Sequence, residues 1–245
     1  MRLGWRARIG STLVVVFFFA SAFVMADEYT QIVTLRSIAS FDSQDQWNWI
    51  VQGSKYSTNG YPQMNIVKAY PDALYGHNQE NKPLYSLGVH GKFDRKGYNY
   101  VEMIPAQKDS SGNLQPAPIP IPGRAQKVDL WIWGSNYNYW LDLYLRDYQG
   151  IDHVLHFGSL HFVGWKDLTV DIPSSIPQSR SYIPRYEGLV MTKLVMWTAP
   201  DEKVDDFYLF IDEINCLTDI FESRFDGEDL ADPTYLNNLW QQGTK

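Results

Sequence analysis

Two stretches in the middle of the chain alternate strictly between aliphatic and other side chains. In residues 128–133, valine, leucine and isoleucine alternate with aspartate and two tryptophans; residues 139–146 alternate in the same way. A period of two is typical of β-strands, whose successive side chains point to opposite faces of a sheet. Residues 134–138, Gly-Ser-Asn-Tyr-Asn, have the composition of a turn. The pattern predicts two strands, each with an aliphatic face for the core and a second face of aromatic and charged side chains.

Similar short apolar runs recur along most of the chain, with loops between them. They predict further strands at residues 30–38, 47–51, 64–70, 84–93, 98–104, 154–157, 168–172, 188–197 and 207–214. Residues 94–97, Asp-Arg-Lys-Gly, suit the turn of a hairpin. So many short strands with almost no helix predict an all-β fold, an antiparallel β-sandwich of the jelly-roll or galactose-binding-like type.

The connection at residues 115–123 contains proline at every second position, in Gln-Pro-Ala-Pro-Ile-Pro-Ile-Pro-Gly. Proline has no N–H to donate to a sheet, and repeated prolines favour the polyproline II conformation. We therefore interpret this run as a stiff surface connector in preference to a dedicated docking site.

The last 27 residues, 219–245, differ from the rest because they are acidic and have helical spacing. Asp232 and Pro233 suit an N-cap followed by the first residue of a helix. Apolar residues then recur at helical intervals, at Tyr235, Leu236, Leu239 and Trp240. The sequence predicts a short C-terminal helix, which either folds back on the domain or reaches a neighbouring molecule.

The first 26 residues have the features of a secretory signal peptide. Three arginines precede an apolar run at residues 9–24, and small residues allow cleavage after Ala26. The alternative is an uncleaved N-terminal anchor. No cysteine follows the run directly, so a lipoprotein anchor is not expected, and no later segment has the length and apolarity of a membrane span. The predicted organisation is a signal peptide at 1–26, a sandwich domain at 27–218 and an acidic tail at 219–245.

Charge and cysteine content exclude several classes of protein. The formal net charge is −7, and residues 1–26 hold three arginines and no acids, so cleavage changes the charge from −7 to −10. Such an acidic chain is a poor candidate for nucleic-acid binding, which depends on Lys and Arg. Cys216 is the single cysteine. An intramolecular disulfide is therefore impossible, and we expect Cys216 to be a buried, inert thiol.

Catalytic and metal-binding patterns are weak. His153, His156 and His161 are the densest group of histidines, but their alternating positions on strands need not bring them together, and a zinc site is not favoured. Asp129 and Asp142 could act as paired acids, although nothing fixes their separation. Asp212 suits a structural calcium site, to which the remaining residues supply no evident ligand set. We predict no cofactor and no enzymatic activity.

The strongest functional candidates are the aromatic residues on the outward faces of the two central strands. If these strands are neighbours in one sheet, the side chains form a continuous aromatic platform. Three roles are open for it: a second layer of core beneath loops, a protein interface, and a sugar-binding platform. The candidate contact residues are Trp131, Trp133, Trp140 and Tyr144, with Asp142 and Arg146 as polar partners and Asp129 beside them.

Short motifs spread over nearly the whole chain after residue 26 resemble those of the spirochaetal flagellar filament outer layer protein family, the FlaA sheath proteins. The most specific lie in the central region. The shared motifs are Phe41-Asp-Ser with Trp47-Asn-Trp, Gly53-Ser-Lys-Tyr with Gly60-Tyr-Pro, Leu87-Gly-Val with Phe93-Asp-Arg-Lys-Gly, Val101-Glu, Trp131-Ile-Trp-Gly-Ser-Asn-Tyr, Arg146-Asp with Gly150, and Gly164-Trp-Lys-Asp-Leu with Ile172-Pro173.

The resemblance implies a non-enzymatic, structural role in the periplasm. Proteins of this family coat a flagellin core inside the periplasmic flagellum and affect its shape, its stiffness and the motility that it drives. The implied partners are the core flagellin filament and other sheath proteins, with no nucleic acid and no membrane after signal cleavage. The alternative function is a periplasmic carbohydrate-binding module that uses the aromatic platform.

Overall fold

A computed structural model describes residues 33–42, 47–178, 188–220, 230 and 233–242. The chain divides into two units, residues 1–30 and residues 31–245, and all described residues belong to the second. The predicted signal peptide and Asp232 lie outside the described residues.

The described residues form thirteen strands and two short helices. The helices are α1, Asp72–Tyr75, and α2, Pro233–Gln242. The strands are β1 Val33–Ala39, β2 Asn48–Gly53, β3 Gln63–Val67, β4 Ser86–Gly91, β5 Tyr100–Lys108, β6 Leu114–Pro116, β7 Ile119–Pro120, β8 Arg124–Ser135, β9 Tyr139–Arg146, β10 Asp152–Ser159, β11 Val163–Asp171, β12 Val190–Thr198 and β13 Phe207–Asp219.

The strands build two antiparallel sheets. In sheet I the order is β11-β8-β13-β4-β3, and β1 also pairs with β13. In sheet II the order is β10-β9-β12-β5-β2, with β6 beside β5 and β7 beside β12. The all-β antiparallel sandwich with a short C-terminal helix that the sequence predicts is therefore confirmed.

The core lies between the two sheets and is built from every second residue of the central strands. Val128, Leu130 and Ile132 of β8 are fully buried, as are the leucines of β9 at positions 141, 143 and 145. Each buried aliphatic side chain of this size contributes about 1.5–3 kcal/mol relative to an exposed one. Because strand side chains alternate, this burial fixes the aromatic and charged residues of both strands on outer faces.

The two central strands are not neighbours, so the continuous platform expected from the sequence does not form. β8 pairs with β11 and β13 in sheet I, whereas β9 pairs with β10 and β12 in sheet II. The intervening turn carries the chain from one sheet to the other. The outward faces of β8 and β9 therefore belong to different surfaces of the sandwich.

The proline run is part of the sandwich, and its interpretation as a surface connector is wrong. β6 pairs with β5 and β7 pairs with β12. Proline alternates with residues that do have an N–H, and Ile121 donates from its N–H to the carbonyl of Leu189 at 2.8 Å. Ile119 and Ile121 are buried in the core. Because proline occupies only every second position, the N–H groups of the residues between the prolines can still donate along one edge of the run. A count of prolines does not reveal this.

Other differences from the sequence-based expectations are local. α1 lies within residues 71–83, which were expected to form a loop, and β13 continues five residues beyond the predicted end at residue 214. α2 agrees with the predicted helix, and residues 233–241 are exposed, with 79% of Trp240 accessible. In the part of the chain that the structure describes, no helix has both the length and the apolarity to span a membrane. Cys216 is buried, and this burial raises the pKa of its thiol to about 12, as expected for an inert cysteine.

One glycine of sheet I is required by close packing, which gives a testable prediction. A Cβ added at Gly91 would lie 2.0 Å from Cζ of Phe207, a fully enclosed core ring, whereas at Gly88 the nearest atom, on Phe210, is 3.2 Å away. We expect Gly91→Ala to lower the free energy of unfolding by about 1–3 kcal/mol, the usual cost of overpacking. Gly88→Ala is the matched control on the same strand and should cost less. Equal denaturant midpoints for the two variants would contradict this packing account.

Candidate functional site

The outer face of sheet I carries a row of aromatic rings that crosses three strands. Trp133 on β8 contacts Phe210 edge to face, with centroids 5.6 Å apart. Phe210 and Tyr208 of β13 are stacked at 6.5 Å, and Tyr208 stacks on His90 of β4 at 4.1 Å. Tyr61 packs edge-on against His90 at 5.0 Å. We call these five residues the sheet I aromatic row.

Next to this row, β8 and β11 bring indole rings and carboxylates together. Trp133 lies opposite Trp165 in the strand register, and Trp131 lies opposite Asp167. Asp129 follows Trp131 on the same face of β8 because residues two apart share a face. We call Trp131, Trp133, Trp165, Asp129 and Asp167 the indole–carboxylate patch.

The two carboxylates of this patch lack strong cationic partners. Burial raises the pKa of Asp167, and the nearby charge of Asp129 raises it further. Burial also raises the pKa of Asp129, against the effects of the Asn215 amide, which donates to it at 3.3 Å, and of Lys127. Lys127 itself forms an exposed ion pair with Asp171 at 3.3 Å. The patch therefore has an excess of negative charge beside three indole rings.

A fully buried carboxyl group lies on the other side of Trp131. Asp212 lies opposite Trp131 in the register and has 0% of its surface exposed. Its Oδ1 accepts a hydrogen bond from the N–H of Glu213 at 2.9 Å, whereas Oδ2 has no partner among the described atoms. Burial raises the pKa of Asp212 to about 8. The group is therefore largely protonated at neutral pH.

The backbone next to Asp212 is strained and is partly covered by the segment around α1. Glu213 adopts a left-handed conformation, with φ 44°, at an irregularity in the pairing of β13 with β8. The hydroxyl of Tyr75, in α1, donates to Oε1 of Glu213 at 2.6 Å. Strained residues of this kind persist where the surrounding structure fixes them. Trp131 thus lies between the covered, buried Asp212 on β13 and the exposed Asp167 on β11.

The metal sites considered from the sequence find no support in the geometry. Among the residues that the structure describes, no three or more His, Cys, Asp or Glu side chains are grouped so that they could hold a metal ion. His153 pairs with Asp147 at 2.8 Å and His156 pairs with Asp142 at 2.7 Å, so these histidines do not converge on a common point. Within the described ranges, Asp212 is likewise not part of a group of three or more such side chains.

The outer face of sheet II carries a second aromatic row. Trp140 of β9 stacks on Trp197 of β12, with centroids 6.3 Å apart and planes within 12°. Tyr100 of β5 lies 5.2 Å from Trp197, and Tyr98 meets Trp140 edge-on at 6.3 Å. Tyr98 is 68% exposed. We call these four residues the sheet II aromatic row.

The charged residues beside this second row are largely neutralised within the face. Arg146 binds Asp152 through two hydrogen bonds, at 2.8 and 3.0 Å, and this contact lowers the pKa of the Asp152 carboxyl. His156 approaches Asp142 from the neighbouring strand. The face therefore presents aromatic rings beside charges that already have partners.

The charged groups around Tyr144, farther along β9, also have partners within sheet II. Lys193 of β12 lies over its ring, with Nζ 4.8 Å from the centroid. The same ammonium group forms an ion pair with Glu102 of β5. Tyr144 is thus part of a local cation–π and ion-pair group, which leaves little unbalanced charge at this end of sheet II.

The structure separates the predicted contact residues into two groups. Trp131 and Trp133 lie on sheet I, and the other four lie on sheet II. Arg146 is exposed and the remaining five are half-buried on outer faces. Their role in binding stays a prediction. Sequence reasoning missed further members of both surfaces, because they lie at the margins of predicted strands or in strands with interrupted alternation; these are Trp165, Trp197, Phe210, Tyr208, Tyr98 and Tyr100.

The fold and these two surfaces define an antiparallel β-sandwich with aromatic rows on its outer faces. Solved structures with a similar fold include carbohydrate-binding modules. A promiscuous module of the β-sandwich superfamily is 10% identical, with a TM-score of 0.47, and the match covers 73% of this chain and 60% of that one. The family 11 module of Lic26A-Cel5E from Clostridium thermocellum is 10% identical, with a TM-score of 0.43 and coverage of 78% and 99%. At this identity the likeness concerns the fold alone.

The family is shown by the sequence itself. The model of the flagellar filament outer layer protein FlaA matches residues 20–226, and the chain belongs to this family. A flagellar filament outer layer-like protein of Brachyspira hyodysenteriae is 24% identical over 200 residues, which cover 82% of this chain and 86% of that protein. The family description gives the protein a flagellar location in association with the filament, and it confirms the resemblance seen in the motifs.

Proposed function

We propose that this protein is a structural sheath subunit of the spirochaete periplasmic flagellar filament, where it coats a flagellin core and contributes to filament shape, stiffness and motility. The observation that carries the proposal is the family match, which spans residues 20–226 and therefore includes both aromatic surfaces. The role is one of binding, with no chemical turnover.

The two aromatic surfaces suit a subunit that is held on more than one side. A sheath protein must bind the core and its neighbours at once, and the sandwich presents aromatic rows on both sheets. Large aromatic rings give contact area at a low cost in side-chain entropy. Many weak contacts along one filament then act together, so that each single contact need not be strong.

The periplasmic site and the individual partners are parts of the same proposal. The features of a signal peptide in residues 1–26 support export. The core flagellin is the expected partner on one side, and other sheath proteins are the expected partners on the others. The acidic composition is consistent with protein partners in preference to nucleic acid.

The proposal is tested by following the protein during isolation of periplasmic flagella from the source cells. We expect it to be enriched with intact filaments, and we expect filaments from cells that lack it to be thinner and altered in shape. The comparison strain should carry the gene restored elsewhere in the genome. A protein that stays in the soluble periplasmic fraction, with filaments unchanged by its loss, would contradict the proposal.

A second candidate function is carbohydrate binding. The sheet II aromatic row favours it, because the rings of Trp140 and Trp197 are nearly parallel and Tyr98 is well exposed beside them. Such a surface could stack against sugar rings, including a glycan displayed on the filament. A glycan array probed with the purified monomer separates the two functions. Selective binding of a glycan supports carbohydrate binding, whereas the absence of glycan binding favours contacts with proteins of the filament.

A further inference from the structure

The indole–carboxylate patch has the chemistry of a receptor for cationic side chains. Among the described residues, neither Asp129 nor Asp167 forms a salt bridge, and the charge of Asp129 raises the pKa of Asp167. Arginine and lysine bind well where a carboxylate and an aromatic face are both within reach. Three indole rings lie beside these two carboxylates. By contrast, Arg146, Lys193 and the nearby acids of sheet II are already paired.

The same chain carries a matching cationic site at another place. Lys55 Nζ lies 4.9 Å from the ring centroid of Tyr56, and the Arg95 guanidinium carbon lies 3.5 Å from the same centroid. Both cations are exposed, and in the described structure neither forms a salt bridge. The carboxylate of the adjacent Asp94 accepts a hydrogen bond from Thr58 at 2.5 Å. We call Lys55, Tyr56 and Arg95 the cationic tip.

The strand order separates the two sites within one molecule. The patch lies on β8 and β11, at one edge of sheet I. The cationic tip is formed by the segments that follow β2 and β4, which a bridge between Ser57 and Phe93 holds together. In the order of sheet I, β13 lies between β8 and β4. Patch and tip therefore belong to strands that are not neighbours in sheet I, and we expect contact between them to join two molecules.

We infer that the cationic tip of one subunit binds the indole–carboxylate patch of a second copy of this chain, so that sheath subunits join head to tail. Arg95 and Lys55 would meet Asp167 and Asp129, with the indole rings beneath the guanidinium group. A contact between two different surfaces of identical subunits can be repeated from one subunit to the next. It gives an open chain of subunits when the rotation between neighbours does not close a ring. That is the geometry that a layer along a filament needs, and the inference rests on the proposed function.

The contact is ionic in part and should weaken with salt. Exposed charges are screened over a Debye length of about 8 Å at 0.15 M ionic strength and about 3 Å at 1 M. We expect self-association of the purified protein without residues 1–26 at low salt and dissociation as sodium chloride is raised to 1 M. Sedimentation equilibrium at protein concentrations up to about 1 mM detects contacts with a Kd of that size. A monomer throughout this range would overturn the inference.

Reciprocal charge reversal tests the pairing itself. Asp167→Arg makes the patch repel the tip, and Arg95→Glu makes the tip repel the patch, so each variant alone should associate at least about tenfold more weakly than the wild type. An equimolar mixture of the two should associate again, because the unaltered tip of Asp167→Arg fits the unaltered patch of Arg95→Glu and the reversed tip fits the reversed patch. The control Glu80→Arg alters an exposed acid on the segment after α1 and should behave as the wild type.

The outcomes separate this inference from the proposed function. Self-association that survives both single reversals, or a mixture that stays monomeric, would overturn the head-to-tail contact. Loss with each variant and recovery in the mixture would establish it. Neither result depends on flagella, so a protein that co-purifies with filaments but fails this test leaves the sheath function in place with a different contact between subunits.

Discussion

Replacing Trp140 by alanine is expected to weaken binding to sheath-free flagellar filaments by about 30-fold or more, because truncation of a central interface tryptophan commonly costs 2 kcal/mol or more. Trp140 is the centre of the sheet II aromatic row, in contact with both Tyr98 and Trp197. In the proposed sheath, sheet II is the surface that we expect to face the flagellin core, because the inferred head-to-tail contact uses the patch on sheet I. The measurement is co-sedimentation of the purified protein with filaments over a range of concentrations.

The matched control is Trp133→Ala on sheet I. Trp133 is half-buried like Trp140 and contacts a neighbouring ring in a similar way. We expect its loss to reduce the cooperativity of coating, with little change in the affinity of an isolated subunit, and we expect the double variant to be released from filaments. Denaturant unfolding of each variant checks that it stays folded. Filament binding by Trp140→Ala at wild-type affinity would show that sheet II does not face the core.

The second large effect concerns the pH dependence of stability. Burial raises the pKa of Asp212 from 3.8 to about 8. The folded state therefore favours the protonated carboxyl, and its contribution to stability is complete below pH 4 and is lost as the pH rises to about 8. At about 1.4 kcal/mol per pKa unit, the loss is on the order of several kcal/mol. Asp212→Asn, which is neutral at every pH, should lack this loss and should be the more stable protein at pH 8–9.

The test is denaturant unfolding of the wild type and of Asp212→Asn at pH values between 4 and 9. Asp171→Asn serves as the control, because Asp171 is exposed, with 82% of its side chain accessible. We expect the unfolding free energy of the wild type to fall with rising pH relative to that of Asp212→Asn, and we expect Asp171→Asn to follow the wild type. Parallel curves for all three proteins would show that Asp212 is ionised in the fold without penalty.

Most of the strands can be predicted from the sequence, because burial of one face of a strand requires the alternation of aliphatic and other residues from which the strand is predicted. The aliphatic residues at every second position of β8 and β9 are stabilised by burial in the core, and their neighbours in the strand must then face outward. The outward positions of Trp131, Trp133, Trp140 and Tyr144 follow directly from this alternation, and the structure agrees.

The assignment of a strand to a sheet is not contained in such local patterns. The turn at residues 134–138 could join two neighbours in one sheet as well as cross between sheets, and the long-range pairing of β8 with β13 decides between them. For the same reason the sequence placed Trp131 and Trp140 on one platform. The buried pair of isoleucines in the proline run was missed because the run was interpreted by its prolines alone.

The central claim, that this sandwich works by coating a polymer, is tested most directly by adding the purified protein without residues 1–26 to flagellin filaments stripped of their sheath and imaging them by electron cryomicroscopy. The account predicts saturable binding and a regular outer layer in which each subunit presents sheet II to the core. Bare filaments at saturating protein concentration, with no more protein bound than for an unrelated acidic β-sandwich, would contradict it.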